Sequence, residues 1–368
     1  MTEPDALQQV NRTFVRSARR TLSYFSGCDY FRLASDPRVL RATRDGLRRF
    51  GLNVAASRLT TGNHRIYAEL ERALAKFFDV EQALLVPNGY ATNLNVAQSL
   101  AGSFSHALVD AKSHPSLKDA AELLGCPVLE FEHRNPGAAG RAARRCGPGT
   151  RLILLTDGLF SHDGSVAPLR AYLELLPKDA LLLVDDAHGA GVLGTAGRGT
   201  PEFERIPRKR VIQTITLSKA FGVYGGVILC TKRLRTRILE KSRMFVGSTP
   251  LPLPLVNAAL RSLAILRTDR RMRARLWRNV SFIKEALKRN SKLRELARGS
   301  LETPGPMFSV VPQSVKEGRR LQKQLMAAGI FGSMTRYPSG SAEGYFRFVI
   351  SSEHTVLQLE SLRSVLLR

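Results

Sequence analysis

Two short stretches run from hydrophobic sequence straight into chemistry. Leu181 to Gly194 reads LLLVDDAHGAGVLG: four apolar residues, then Asp185, Asp186, Ala187, His188 and a glycine-rich exit. Val211 to Gly226 reads VIQTITLSKAFGVYGG, a β-branched run that breaks into Leu-Ser-Lys-Ala-Phe-Gly and a Gly-Gly pair. Runs of this length and composition suit buried strands. A strand that is apolar on both faces has to be covered on both, which is the condition of a parallel sheet wrapped by helices. Open α/β sheets of that kind hold ligands just outside the carboxyl ends of their strands. Asp185, His188 and Lys219 fall at those ends, so one crevice is expected to receive all three. Taken alone, Lys219 reads as a surface lysine in a loop after a strand; Asp185 and His188 change that reading.

A lysine with little water around it loses part of its preference for the charged form and becomes a usable nucleophile. Joined to a carboxylate and an imidazole, it meets the needs of pyridoxal 5′-phosphate (PLP). The lysine forms a Schiff base, the carboxylate keeps the pyridine nitrogen protonated so that the ring accepts electrons, and the imidazole can hydrogen-bond the ring oxygen. On VDDAHGAGVLG and TLSKAFG the chain resembles the fold-type-I PLP enzymes and, within them, the α-oxoamine synthases. The resemblance runs from about Tyr24 to about Thr355 in the family's motif order. It implies an α/β fold of the PLP transferase, aspartate-aminotransferase-like type: a large domain with a mostly parallel seven-stranded sheet plus a small α+β C-terminal domain. The expected bounds are 1–45 for an N-terminal arm and helix, 46–250 for the large PLP-binding domain and 251–368 for the small domain.

The same resemblance implies roles residue by residue. Lys219 holds the cofactor, Asp185 is the pyridinium partner and His188 the ring-oxygen partner, while Asp186 faces away to hold structure. Asn88, Gly89 and Tyr90 form a turn that opens a helix and cradles the phosphate largely through the backbone, as the amides and dipole of a helix N-terminus favour. Thr216 is a further phosphate ligand. His114, in VDAKSHPS, stacks on the pyridine ring, with Pro115 where the family has a small residue. Ser161, in the Asp-Gly-Leu-Phe-Ser turn, lies near the ring oxygen; Asp157 reads as a framework acid, His162 as an exposed turn residue and His133 as structural.

Ser248 and Thr249, in FVGSTPLPLP, match a segment that reaches the phosphate of a neighbouring subunit, which implies a homodimer with shared active sites. Read plainly, the stretch is a proline-rich linker between domains. Arg347 alternates with two phenylalanines on a strand, so it points to the opposite face from them. The family uses an arginine here to bind substrate carboxylate bidentately, a geometry lysine cannot reproduce. Cys28 stands where the family has an asparagine that helps position the amino-acid substrate, and Phe31-Arg32 replaces Leu-Gly. Asn53-Val54-Ala55-Ala56 replaces the glycines of a Gly-Ser-Gly-Gly-Ser-Arg loop, with Ser57, Arg58, Gly62 and His64 keeping its pattern. Side chains there should narrow or stiffen the substrate's approach.

The implied activity is condensation of an amino acid with an acyl thioester, carried on coenzyme A or an acyl-carrier protein, with decarboxylation to an α-amino ketone. The alternatives are an aminotransferase or decarboxylase on the same fold, and an inactive regulatory or scaffold subunit of a synthase. Intact Lys219, Asp185 and His188 argue against the last. Lys plus Arg number 56 against 31 acids, a net charge of +25 that attracts polyanions. The basic clusters at Pro207–Arg210 and Arg267–Arg278 read as solvated surface, or as a dock for an acidic carrier protein or coenzyme A phosphates. No nucleic-acid-binding motif accompanies them. Four cysteines without CxxC spacing suggest neither a zinc site nor a disulfide framework. No apolar run approaches a membrane span, and the N-terminus has no hydrophobic signal core, which points to the cytoplasm.

Overall fold

The computed structural model describes residues 6–335 and 344–368. The first five residues of the expected N-terminal arm, and residues 336–343 of the expected small domain, lie outside them. Contacts divide the chain into two compact units: a larger one of Pro37–Phe160 and Val166–Thr268, and a smaller one of Met1–Asp36, Ser161–Ser165 and Asp269–Arg368. These bounds differ from those expected from sequence because helix Pro37–Phe50 packs along helix Leu253–Thr268. The two backbones meet at Gly46, where a Cβ would stand 2.9 Å from the Asn257 Cβ, and Asn257 donates to the Ala42 carbonyl at 2.7 Å. Both helices therefore stay with the larger unit. Ser248 and Thr249 lead into that second helix, so the reading of their stretch as an inter-domain linker does not hold.

The larger unit is built on a seven-stranded sheet in the order Gln82–Val86, Gly226–Cys230, Val211–Thr216, Leu181–Asp185, Leu152–Asp157, His106–Asp110, Val128–Phe131. Only Gly226–Cys230 runs antiparallel to its neighbours; the other pairings are parallel. The continuous apolar runs are explained by the two faces. Ile153, Leu155 and Leu183 pack with Val96, Leu100 and Leu117 on one side. Leu152, Leu154, Leu182 and Val184 pack with Ala139, Phe160 and Tyr172 on the other. Successive residues of one strand thus enter two different cores, as the pleat dictates.

The smaller unit has two antiparallel three-stranded sheets. One joins Gln8–Gln9, Phe14–Ser17 and Arg20–Ser23; the other has Tyr345–Val349 between Met307–Val310 and Met334–Thr335. Helix Arg270–Lys288 buries Met272, Leu276, Val280, Ile283, Lys284 and Leu287, leaving Arg270, Arg271 and Arg278 exposed. Helix Val356–Leu366 opens on a capping box in which Thr355 and Gln358 satisfy each other's backbone N–H groups. Among the described residues, no helix is long and apolar enough to cross a membrane.

Candidate active site

In the larger unit, three parallel strands end side by side, with Asp157 paired to Asp185 and Asp185 to Thr214. Asp185 is buried; its Oδ1 accepts the Ala187 N–H at 3.1 Å and its Oδ2 the Asn93 amide at 2.6 Å. The chain then turns tightly, and His188 is presented with its Nε2 2.7 Å from the Lys219 Nζ. Asp186 points the other way. It accepts the Thr200 N–H at 2.8 Å, the Thr200 hydroxyl at 2.6 Å and the Gln213 amide at 2.6 Å. Burial pushes its pKa up to about 7 against the pull of those hydrogen bonds.

Beside these strand ends, helix Gly89–Leu100 begins at Asn88, whose side chain accepts the Ala91 N–H at 2.9 Å. A Cβ on Gly89 would stand 2.8 Å from the Thr216 Cβ, so this turn needs glycine to lie flat on the strand. Thr216 shares a 2.7 Å hydrogen bond with Ser218. The first-turn amides have no partner within their own helix, and they sit at its positive end. The Tyr90 side chain turns outward, and its hydroxyl bonds Asp119.

His114 caps the next helix, Pro115–Leu123, with Pro115 at the first helical position, where its missing N–H costs nothing. The His114 N–H donates to Asp157 Oδ2 at 2.8 Å. Its ring Nδ1 lies 2.8 Å from the Ser116 hydroxyl and accepts the Ser116 N–H at 3.2 Å. Burial holds the His114 pKa below the usual imidazole range; the Lys219 charge works in the same sense, against Asp185 and Asp119. Asp157 is pushed well above the carboxylate range, first by burial and then by the charge of Asp185.

Comparison with known proteins identifies the family. The family model for aminotransferase class I and II matches residues 29–366. The 8-amino-7-oxononanoate synthase of Exiguobacterium sibiricum is 31% identical over 357 residues, covering 96% of this chain and 90% of its own. The serine palmitoyltransferase of Sphingomonas wittichii superposes with a TM-score of 0.90 at 26% identity, covering 97% of this chain and 89% of that one. A single-residue variant of the S. paucimobilis serine palmitoyltransferase, solved with a bound PLP–myriocin aldimine, gives a TM-score of 0.90 at 25% identity over 98% of this chain and 91% of that one. This chain belongs to the aminotransferase class I and II family, in its α-oxoamine synthase branch.

The α-oxoamine synthase fold is that of the fold-type-I PLP enzymes, and the protein is a PLP-dependent C-acyltransferase. Its donor set fits the cofactor. An amine touches an imidazole, a buried carboxylate stands ready for a pyridinium, and a helix N-terminus floored by glycine suits a phosphate.

Three further sequence candidates of this synthase, Cys28, Ser161 and Arg347, belong to the smaller unit. There Arg347 donates to the Ser161 carbonyl at 3.4 Å. Burial raises the pKa of Tyr24, with Arg347 opposing and Cys28 reinforcing; burial does the same, more strongly, for Tyr30. Cys28, Tyr24, Tyr30 and Arg347 are therefore electrostatic neighbours. Ser248 caps the short helix Arg243–Gly247 and donates to the Met244 carbonyl at 2.5 Å, while Thr249 is exposed. No contact joins either to the Lys219 cluster among the described residues.

Where the chain departs from the family's glycines, the backbone keeps a glycine-like conformation. Arg32 has φ +51° and Ala55 φ +48°. Arg32 is buried and donates to the Tyr24 carbonyl at 2.9 Å. Arg58 is framework, forming a buried ion pair with Glu71. His133 bonds Asp110 at 2.8 Å, in keeping with a structural role. His162 is not the exposed turn residue expected: it is 9% exposed, with its ring 3.3 Å from Asp163 and its carbonyl bonded by the Ser309 hydroxyl. The sequence reading missed Asn93, Ser116 and Thr214. Their trace is helix Gly89–Leu100 itself, where Thr92, Asn93, Asn95 and Ser99 are all buried, more polar groups than a plain packing helix hides.

Proposed function

We propose that this synthase condenses an α-amino acid with an acyl thioester, using Lys219, Asp185, His188 and His114 as its central groups, and releases carbon dioxide and an α-amino ketone. The single observation that carries the reading is the 2.7 Å contact between Lys219 and His188 beside a carboxylate already held by hydrogen bonds. PLP, when bound, supplies the electron sink that makes the substrate's α-carbon acidic.

Each side chain has one task in this reading. Lys219 attaches the cofactor and, once the substrate amine has taken its place, moves the proton at the α-carbon, as a general base close to that atom can. Asp185 presents its negative charge to the pyridine nitrogen and so keeps it protonated, and its Asn93 partner keeps that carboxylate oriented. His188 hydrogen-bonds the ring oxygen, and His114 covers the ring face. The amides of Asn88, Gly89 and Tyr90 and the Thr216 hydroxyl hold the phosphate. Arg347 grips the substrate carboxylate, with Cys28 at the same subsite. Ser248 and Thr249 reach the phosphate of a second copy, which makes the working form a homodimer with shared sites, and the working compartment is the cytoplasm. The larger unit is the cofactor-binding part.

The test is direct. Purified protein is incubated with a panel of amino acids, with and without acyl-coenzyme A and acyl-carrier-protein thioesters, and products are weighed by mass spectrometry. An α-amino ketone formed only when both substrates are present supports the reading. Keto acids or simple amines formed without thioester would replace it with transamination or decarboxylation.

A further inference from the structure

We propose that Ser116, anchored by Asn93, is a positioning residue that ties the His114 imidazole to the Asp185 carboxylate and locks the ring as its Nε2–H tautomer. Ser116 and Asn93 are both fully buried. The Asn93 amide is oriented by its neighbours: its oxygen accepts the Thr214 hydroxyl at 2.7 Å, and its nitrogen donates to Asp185 Oδ2 at 2.6 Å and to Ser116 Oγ at 3.0 Å. The Ser116 oxygen therefore accepts from Asn93 and has one proton left to give. Two acceptors compete for it: His114 Nδ1 at 2.8 Å and Asp185 Oδ2 at 3.5 Å.

The nearer acceptor wins, and the backbone agrees. The Ser116 N–H also points at His114 Nδ1, 3.2 Å away. A proton on Nδ1 would set two N–H groups against each other, so Nδ1 keeps its lone pair and Nε2 carries the hydrogen. If the ring does take a second proton, the Ser116 hydroxyl can swing to Asp185, which gains a donor as His114 gives one up. The two groups thereby share one switch. Charged and titratable groups that face His114 among the described residues include Lys219, Asp119 and Asp157, with the Tyr90 ring edge-on at 5.9 Å. Removing a hydroxyl from Ser116 changes none of them.

The catalytic consequence rests on the roles proposed above for His114 and Asp185; the relay itself does not. The experiment separates the two. Cofactor-free protein labelled with 15N-histidine is titrated by NMR, with His114→Asn used to assign the resonance. Wild type shows the Nε2–H tautomer and a depressed midpoint. In Ser116→Ala the midpoint rises by about half a unit or more, and the second tautomer becomes populated. In the PLP-loaded protein the pH profile of the cofactor absorbance shifts with it, and kcat falls roughly tenfold while KM changes little. An unchanged tautomer and midpoint in Ser116→Ala overturns the relay. A shifted His114 beside an unshifted cofactor absorbance leaves the relay standing and overturns the reading of His114 as a cofactor contact.

Discussion

Both units bury ionisable groups, and they differ in what answers them. In the smaller unit Lys284 donates to the Ser300, Thr303 and Gly305 carbonyls at 3.1, 2.9 and 2.9 Å. His354 accepts the Ser351 N–H at 3.0 Å, lies 3.0 Å from the Tyr24 carbonyl and stacks on Phe25. Apart from the Thr303 hydroxyl, which accepts from Lys284 at 3.2 Å, these hydrogen-bond partners are backbone groups, which do not titrate. In the larger unit Lys219 meets His188, Asp185 meets Asn93, and Asp157 stands beside Asp185, all through side chains or their charge. A displaced pKa occurs in both regions, so displacement alone does not mark catalysis. For these groups the partners differ in kind: carbonyls hold Lys284 in place, while side chains able to give or take a proton surround Lys219. Such a side-chain partner is necessary for proton transfer and not sufficient, as the framework pair Arg58–Glu71 shows.

The sharpest way to break that contrast is to remove one lysine from each region. Lys219→Ala should lower turnover by roughly 10⁴-fold or more while leaving urea-unfolding stability within about 1 kcal/mol. Next in size is His354, whose pKa is held down to about 3 by burial and by the Arg32 charge. The unfolded chain protonates this histidine near 6.5 and the folded chain resists until about 3, so the unfolded state binds more protons throughout that window. Stability is therefore fully present above about pH 6.5 and falls as pH drops toward 3, by roughly 5 kcal/mol in all. His354→Asn should flatten this part of the profile in unfolding measurements at pH 4.5 and 7, and a slope equal to wild type would count against the assignment.

Lys284→Met comes third. Burial pulls the lysine's pKa down to about 7, and removing it relieves a buried charge but strands three carbonyls. The stranded carbonyls should dominate, at a net cost of about 2–3 kcal/mol. Turnover per folded molecule should stay within about twofold, because backbone partners hold loops rather than move protons. A loss of turnover as large as that of Lys219→Ala, with stability intact, would dissolve the distinction between the regions.

The sequence told more about one region than the other for the same physical reason. Strand ends with Asp185, His188 and Lys219 announce themselves locally, because an apolar run that stops in polar residues needs only its own neighbours to be read. Ser116 and Asn93 matter through partners far along the chain, and nothing within a few residues of either declares them. His162 reads as a surface residue in a polar turn until strand Met307–Val310, over 140 residues later, covers it through Ser309. Lys284 sits in an arginine-rich helix and is told apart only by the Met272, Leu276, Val280 spacing that carries it to the buried face. The division near residue 268 likewise depends on Gly46 meeting Asn257.

The smallest expected effect tests the same principle inside the active-site turn. Tyr90 is 41% exposed, its hydroxyl bonds the exposed Asp119, and its ring meets His114 edge-on at 5.9 Å. If the turn holds phosphate through its amides, the phenol contributes only a surface hydrogen bond, worth about 0.5 kcal/mol or less. Tyr90→Phe keeps the ring against His114 and the backbone at the helix start. Stability should move by no more than that, and PLP affinity, read by fluorescence titration of the cofactor-free protein, should stay within about twofold. A tenfold weakening would mean that the hydroxyl itself grips the phosphate. The turn would then work by side chain as well as backbone, and the boundary between the two kinds of partner would run through the active site instead of around it.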